Sequence, residues 1–333
     1  MDIATHALAS LALARGIFPR RRWTIVTGIV LAGTLADIDL ATVLFGPGAY
    51  LADRHTITHS VAGTIVVIAV TAALTFLWDE KRQESLRDIL LATSCAAVVH
   101  VLLDICTSDG VALLWPWRDV RVATDWLPGM DVWILAFLIT GALLPELLRM
   151  VSSEIGAKDK APRGRNGALV ALALIVLYIA ARATLHGNAV AMLEPHSYRA
   201  ESPRKIGAFA ESLSVLTWRG VIETQSNICL VSVPLMGSAH FDPELAVCLH
   251  KPEDSPQLEA AQKTRVAQQF LHVARFPRAS VDKTETSYEV VIRDMRDVAE
   301  EESRHRVAAQ IFLDTKSAVQ SEEFVWASEV RLR

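Results

Sequence analysis

Cysteine is scarce in this sequence, and the few cysteines that occur are spread apart. The 333 residues contain four of them and no CxxC pair. Zinc ribbons and dense disulfide scaffolds need closely spaced cysteines, so both classes are excluded. Cys229 and Cys248 can form a disulfide if their domain lies outside the cytoplasm, or they can remain buried thiols; the sequence leaves both open.

The chain also lacks a basic tail and a basic helical stripe. Its formal net charge is −4, with sixteen basic and sixteen acidic residues up to residue 188 and seventeen basic and twenty-one acidic residues beyond it. Proteins that bind nucleic acid depend on clustered positive charge. Nucleic acid is therefore not expected as a partner.

Long apolar runs are abundant. The chain is 51% hydrophobic with a mean hydropathy of +0.29, which is too high for an ordinary soluble protein of this length. A helix needs about 20 mostly apolar residues to cross a bilayer. We therefore predict an α-helical domain of about six transmembrane helices over residues 1–188, embedded in a lipid bilayer. The predicted segments are 3–18, 23–45, 61–78, 86–107, 131–149 and 167–185.

Lysine and arginine in the loops predict the orientation of these segments. Twelve basic residues fall in the loops after the first, third and fifth segments, whereas only Arg54, Arg118 and Arg121 fall in the other loops. The positive-inside rule places the twelve in the cytoplasm. The N-terminus and the region after residue 185 are then expected outside.

The pattern changes after residue 188 to that of a smaller soluble α+β domain. Residues 256–274 have the periodicity of an amphipathic helix. Residues 288–292 alternate between apolar and charged side chains, and 307–313 and 324–332 are further β-like runs. We predict that residues 189–333 form an extracytoplasmic α+β domain.

Seven ionisable residues interrupt or adjoin the apolar segments. Such residues are costly in a membrane and are functional candidates by default. His55 and His59 are four positions apart, as are His100 and Asp104, so on a helix both members of such a pair project from one face. His55 and His59 are expected in the loop between the second and third segments. The two in Asp37/Asp39 are two apart, and both can serve one site only if the helix ends or unwinds there. The seven are His6, Asp37, Asp39, His55, His59, His100 and Asp104.

The predicted topology places all seven at one depth near the outer face, although it rests on lysine and arginine alone. Four imidazoles and three carboxylates suit zinc, manganese or iron, and they are enough for one or two ions. Two ions can activate water and hold the oxygens of an in-line displacement. We predict a site for a divalent metal, with zinc as the first candidate.

At these residues the sequence resembles the YdjM/YbcI-type family of membrane-bound, metal-dependent hydrolases of the bacterial inner (plasma) membrane. The resemblance implies distant kinship with zinc-dependent phospholipase C and related nucleases, and hence hydrolysis of a phosphoester, lipid phosphoesters included. Ala36 and Leu40 depart from the family pattern, which usually has Pro before the Asp pair and often His after it. The matching elements are Thr5-His6, Asp37 and Asp39, His55 with Thr58-His59-Ser60, and the stretch from His100 and Asp104 through Thr107 to Pro116.

The leading hypothesis is thus a membrane-embedded, metal-dependent phosphoester hydrolase acting at the outer face. All seven residues are candidate ligands; Asp37 and Asp39 are the candidate catalytic residues, with Asp39 either a ligand or the base that orients water. Four hydroxyl residues are expected to fix the ligand side chains by hydrogen bonds. They are Thr5, Thr58, Ser60 and Thr107.

Two other classes remain as alternatives. A metal transporter predicts polar residues along the whole depth of several helices, but the inner halves of these segments are apolar and 61–78 has no charge. A non-catalytic sensor or scaffold holds a structural metal without an open coordination position, a difference that sequence does not reveal. The oligomeric state is likewise left open.

Overall fold

A computed structural model describes residues 1–18, 22–79, 84–154, 164–236, 241–296 and 306–329. Seven of the basic loop residues used for the predicted orientation lie outside these ranges: Arg20, Arg21, Lys81, Arg82, Lys158, Lys160 and Arg163.

The chain forms two compact units that no single point in the sequence separates. The membrane unit consists of Met1–Asp39, His55–Leu185 and Ala210–Val215. The C-terminal unit consists of Leu40–Arg54, His186–Phe209 and Leu216–Arg333. The predicted boundary after residue 188 lies close to the point where the chain passes between units at Leu185, but each unit also contains a short segment from the other part of the sequence.

The first 193 residues contain mostly helices, and polar side chains set several of their starts. The side chains of Asp2, Ser60 and Ser85 each accept a backbone N–H of the first turn that follows. The helices are α1 (Ile3–Ile17), α2 (Trp23–Ala32), a 3₁₀ helix (Leu35–Phe45), α3 (Pro47–Asp53), α4 (Val61–Trp78), α5 (Leu86–Ile105), α6 (Val132–Glu154) and α7 (Arg165–Leu193).

Fewer of these helices can span a membrane than the sequence predicts. Among the described helices, α4, α5 and α7 are long and apolar enough, and α2 with the 3₁₀ helix makes a fourth if this pair, bent by 47°, is one span. The 15 residues of α1 cover about 22 Å, and the apolar part of α6 ends at Pro145. Both are too short for a hydrocarbon core of about 30 Å. The helical membrane domain is confirmed, but the number of six full spans was wrong.

Small residues let α1, α2 and α5 approach one another closely. Their shared apolar core includes Ala14, Ile29 and Ala96. At the end of α2, a Cβ on Gly33 would lie only 1.8 Å from Oγ of Ser10 on α1. This position therefore requires glycine, as is common where membrane helices come close together.

The C-terminal unit contains two four-stranded sheets, in which neighbouring strands follow sequence order. The prediction of an α+β domain is confirmed. The predicted single helix over 256–274 is two helices, because Thr264 caps a new helix by accepting the N–H of Ala267. The elements are β1 (Lys205–Ala210), β2 (Thr217–Glu223), β3 (Asn227–Pro234), a 3₁₀ turn (Pro243–Leu245), β4 (Val247–His250), α8 (Pro256–Gln262), α9 (Arg265–Val273), β5 (Pro277–Lys283), β6 (Ser287–Asp294), β7 (Val307–Asp314), β8 (Val319–Trp326) and a 3₁₀ turn (Ala327–Glu329).

The strand predictions are confirmed for β6 and β7 in position. The last predicted strand, 324–332, begins earlier than expected, at Val319, and residues 330–332 lie outside the described part. Helices α8 and α9 cover the second sheet through an apolar core that includes Phe270, Ile292 and Ile311. Alternating side chains of β6 supply this core, as the period of a half-buried strand requires.

A disulfide and a buried ion pair stabilise the C-terminal unit. Cys229 of β3 lies directly opposite Cys248 of β4, and the two form a disulfide. Asp294 is buried; it pairs with Arg296 at 2.9 Å and accepts the backbone N–H of Arg275 at 2.7 Å. Burial alone would raise the pKa of Asp294, but Arg296 and the backbone donors outweigh it and lower this pKa.

Candidate metal centre

The break after α2 brings both residues of the Asp pair to one place. The α-helix ends at Ala32, and a 3₁₀ helix carries Asp37 and Asp39, both buried. Residues two apart point about 160° from each other in an α-helix but only about 120° apart in a 3₁₀ helix. The predicted unwinding is therefore present.

The loop before α4 carries His55 and His59, and its backbone is strained at His55. The φ of His55 is 53°, a left-handed value that costs about 1–3 kcal/mol in a residue other than glycine. Three hydrogen bonds hold it there. Its N–H donates to Oδ2 of Asp39 at 2.7 Å, its ring Nδ1 to the carbonyl of Gly110 at 3.1 Å, and its carbonyl accepts the N–H of Ala112 at 3.0 Å.

Helix α5 supplies His100 and Asp104 from one face, as their spacing predicts. Nε2 of His100 lies 3.2 Å from Oδ2 of Asp104. The other ring nitrogen of His100 donates to the carbonyl of Gly33 at 2.9 Å. Because a carbonyl only accepts, Nδ1 of His100 carries a proton, and in the neutral ring Nε2 has the lone pair that a metal ligand needs.

Histidine side chains from three segments converge on Asp104. Nε2 of His59 lies 3.2 Å from Oδ2 of Asp104 and 3.0 Å from Nε2 of His100. Nε2 of His6, on α1, lies 3.2 Å from Oδ1 of Asp104, and its ring lies 3.8 Å from that of His100. The Met1 ammonium also contacts Asp104.

Six of the seven predicted ligands fall into three overlapping groups whose donor atoms lie within 4.8 Å of one another. All six are buried. The groups share members, so that Asp37, His59 and His100 each belong to two of them. The groups are His6, Asp37 and His100; Asp37, His55 and His59; and His59, His100 and Asp104.

Asp39 is placed differently from the other six. It belongs to none of the three groups found among the described residues. Its Oδ2 accepts the N–H of His55 and faces Nδ1 of His59 at 3.3 Å. The geometry thus gives Asp39 contacts with two candidate ligands.

The four predicted hydrogen-bonding residues divide into two pairs. Oγ1 of Thr58 lies 3.0 Å from Nδ1 of His59, and Thr107 donates to the backbone carbonyl of Asp104 at 2.8 Å. Thr5 and Ser60 instead take part in helix starts: Thr5 bonds to Asp2, and Ser60 accepts the N–H that opens α4. The Thr5 hydroxyl donates to the Asp2 carboxylate that caps α1, and the Ser60 hydroxyl accepts a backbone N–H of α4, so both hydroxyls serve helix starts.

Two backbone carbonyls that orient histidines were not predicted. Gly33 and Gly110 have no side chain to suggest a role, and they act through their carbonyls. Gly110 has φ +65°, and a Cβ there would lie 2.8 Å from the carbonyl oxygen of Val122. The sequence signal is the glycine itself, placed shortly after His100 and Asp104.

A comparison with protein families shows to which family this chain is related. The model of the YdjM inner membrane protein family matches residues 1–189. The chain belongs to the YdjM family. No curated protein and no solved structure matches it.

The part shared with the YdjM family contains the whole candidate metal centre. It includes all seven predicted ligands and ends within α7. The two sheets of the C-terminal unit lie beyond it. The resemblance noted from the sequence is therefore confirmed.

The donor atoms of this YdjM-family site fit a cation. Nε2 of His59 lies 3.0 Å from Nε2 of His100, and if both atoms carry lone pairs they cannot hydrogen-bond to each other. Zinc bonds of about 2.0–2.1 Å in tetrahedral geometry place ligand atoms about 3.3–3.4 Å apart, close to the separations here. Among the described residues, Nδ1 of His6 and Oδ2 of Asp37 are buried atoms with no hydrogen-bond partner. A divalent cation would compensate such buried polar atoms.

Proposed function

We propose that this protein is a membrane-embedded, metal-dependent hydrolase of a phosphoester. The observation that carries the proposal is the short distance of 3.0 Å between Nε2 of His59 and Nε2 of His100. Nδ1 of His100 donates to a carbonyl, and Nδ1 of His59 faces a carboxylate, so in neutral rings both Nε2 atoms present lone pairs to the same point. A shared cation accounts for this arrangement with both rings neutral, whereas without a metal one ring must be protonated to donate to the other.

The overlapping groups suit one or two divalent ions, zinc first. His6, Asp37, His55, His59, His100 and Asp104 would hold the metal. When bound, such a metal polarises a phosphoryl oxygen and makes water more acidic. Asp39 contacts the backbone N–H of His55 and the ring of His59, and we assign it the role of the base that orients the attacking water.

We place this chemistry at the outer face of the inner membrane, with the C-terminal unit extracytoplasmic. The distribution of lysine and arginine in the loops supports this orientation. The Cys229–Cys248 disulfide supports it independently, because disulfides persist in oxidising compartments and are rare in the cytosol. Lipid phosphoesters are among the proposed substrates because α5, which carries two of the ligands, is long and apolar enough to span the bilayer.

The test is metal analysis of the detergent-purified protein, followed by a panel of phospholipid and phosphodiester substrates. We expect one or two equivalents of zinc in the wild type, a clear loss in His59→Ala and in Asp104→Asn, and hydrolysis of at least one substrate. His272→Ala, which changes an exposed histidine of α9, is the matched control and should retain metal and turnover.

Three results would contradict the proposal in different ways. Absence of metal from all the proteins would exclude a metal-dependent reaction. Stoichiometric metal without turnover on any substrate would favour the non-catalytic sensor or scaffold, and metal uptake into sealed vesicles would favour the transporter.

A further inference from the structure

The segment Leu40–Arg54 joins two residues of the candidate metal centre directly. Asp39 precedes it and His55 follows it. A hydrogen bond also links these two residues, since the backbone N–H of His55 donates to Oδ2 of Asp39 at 2.7 Å. The segment is therefore a closed loop whose ends meet within the site.

The whole of this loop belongs to the C-terminal unit. The ring of Tyr50, on α3, meets the ring of Trp326 edge to face at 5.7 Å. Leu51 packs against the apolar core of the second sheet, with Phe324 of β8 beside it. The fit is close, because a Cβ on Gly48 would lie 2.8 Å from the Phe324 ring.

The backbone at both ends of the loop Leu40–Arg54 is conformationally restricted. His55 keeps a left-handed backbone, φ 53°, which persists only where the surrounding structure holds it. Asp39 sits in a 3₁₀ helix that continues into the loop as far as Phe45. A displacement of α3 would therefore pass along a short chain to Asp39 on one side and to His55 on the other.

We propose that the C-terminal unit positions the metal ligands through this loop, with Gly48, Tyr50 and Leu51 as positioning residues that touch neither metal nor substrate. The inference rests on the proposed metal centre and adds a role for the part of the chain outside the YdjM match. Metal affinity and coordination geometry then depend on the packing of α3 against β8.

The test compares Co²⁺-loaded full-length protein in detergent with variants of the α3 contact. Gly48→Ala introduces the atom that would meet Phe324, and Trp326→Leu removes the ring that faces Tyr50. Gly129→Ala is the matched control, because nothing lies within 4 Å of a Cβ at that position. The readouts are the Co²⁺ absorption spectrum and the Co²⁺ affinity from competition with a chelator.

We expect both α3 variants to bind Co²⁺ at least tenfold more weakly and with an altered spectrum, as follows when groups that orient metal ligands are disturbed. Gly129→Ala should match the wild type. A wild-type circular dichroism spectrum and a cooperative thermal transition in each variant show that the protein has folded, and Trp326→Leu keeps the test available if Gly48→Ala does not fold.

Wild-type affinity and spectrum in both variants would overturn the inference, even if their thermal stability fell. This result leaves the proposed hydrolase untouched. A wild-type protein that binds no Co²⁺ would overturn both, whereas metal binding without turnover would contradict only the hydrolase.

Discussion

Replacing Asp39 with Asn separates a residue that positions ligands from a residue that binds the metal itself. Oδ2 of Asp39 accepts the N–H of His55 at 2.7 Å and faces Nδ1 of His59 at 3.3 Å. A carboxylate only accepts hydrogen bonds, so it holds the His59 proton on Nδ1. An amide can present its NH₂ group instead, which would allow the proton to move to Nε2 and block the lone pair that faces His100.

The size of the effect follows from this geometry. Loss of a group that orients a ligand lowers metal affinity by about 10- to 100-fold, or about 1.4–2.7 kcal/mol. Loss of a direct ligand should cost more, so Asp104→Asn serves as the comparison, since Asp104 lies within 3.2 Å of three histidines. We therefore expect Asp39→Asn to bind zinc 10- to 100-fold more weakly than the wild type and more tightly than Asp104→Asn.

The assay is competition with a zinc chelator on protein purified in detergent. Thr58→Val is the second comparison, because it removes a hydroxyl 3.0 Å from the same Nδ1 and leaves the carboxylate in place. Wild-type affinity in Asp39→Asn would refute the positioning argument. A loss as large as that of Asp104→Asn would show that Asp39 is itself a ligand.

Three further predictions concern packing and stability. Gly33→Ala should destabilise the protein by about 1–3 kcal/mol through overpacking, and Ser10→Ala should restore much of this loss, because the new Cβ would meet Oγ of Ser10; thermal unfolding of the single and double variants measures both. Replacing Cys229 and Cys248 with Ser should cost about 3 kcal/mol, given the sequence separation of 19, and reducing agent should lower the melting temperature of the wild type but not of this variant. The pKa of Asp294 is lowered in the folded protein, so its charge stabilises the C-terminal unit at pH values above the unfolded pKa of about 3.9. This stabilisation is lost as the pH falls through the folded pKa. Limited proteolysis at decreasing pH should therefore show a weaker acid dependence in Asp294→Asn than in the wild type, and an unchanged dependence would contradict this assignment.

The candidate site was more predictable than the helix lengths. Charged residues in apolar segments are conspicuous, and the spacing of His100 and Asp104 determines their common face. The predicted number of membrane-spanning helices was wrong at α1 and α6. An apolar composition indicates burial, but it does not distinguish burial in lipid from burial in protein, and the helix bounds depend on caps and on tertiary packing. The helix break at Asp37 and Asp39 was predicted because two residues two positions apart can serve one site only where the helix ends or unwinds. Helix propensity did not indicate this break.

Other features depend on contacts that no local pattern records. The carbonyls of Gly33 and Gly110 orient histidines through backbone geometry, which leaves no trace in residue type beyond the glycine. The packing of Leu51 in the core of the second sheet joins positions more than two hundred residues apart in the sequence. Pairing of Cys229 with Cys248 required the register of β3 and β4.

The central claim is that a divalent metal lies between the Nε2 atoms of His59 and His100. Anomalous diffraction at the zinc absorption edge, from crystals of protein loaded with zinc, tests it most directly. The account predicts an anomalous peak within about 2.0–2.2 Å of both nitrogens. Crystals that show zinc bound elsewhere, or a direct histidine contact with no anomalous peak, would contradict it.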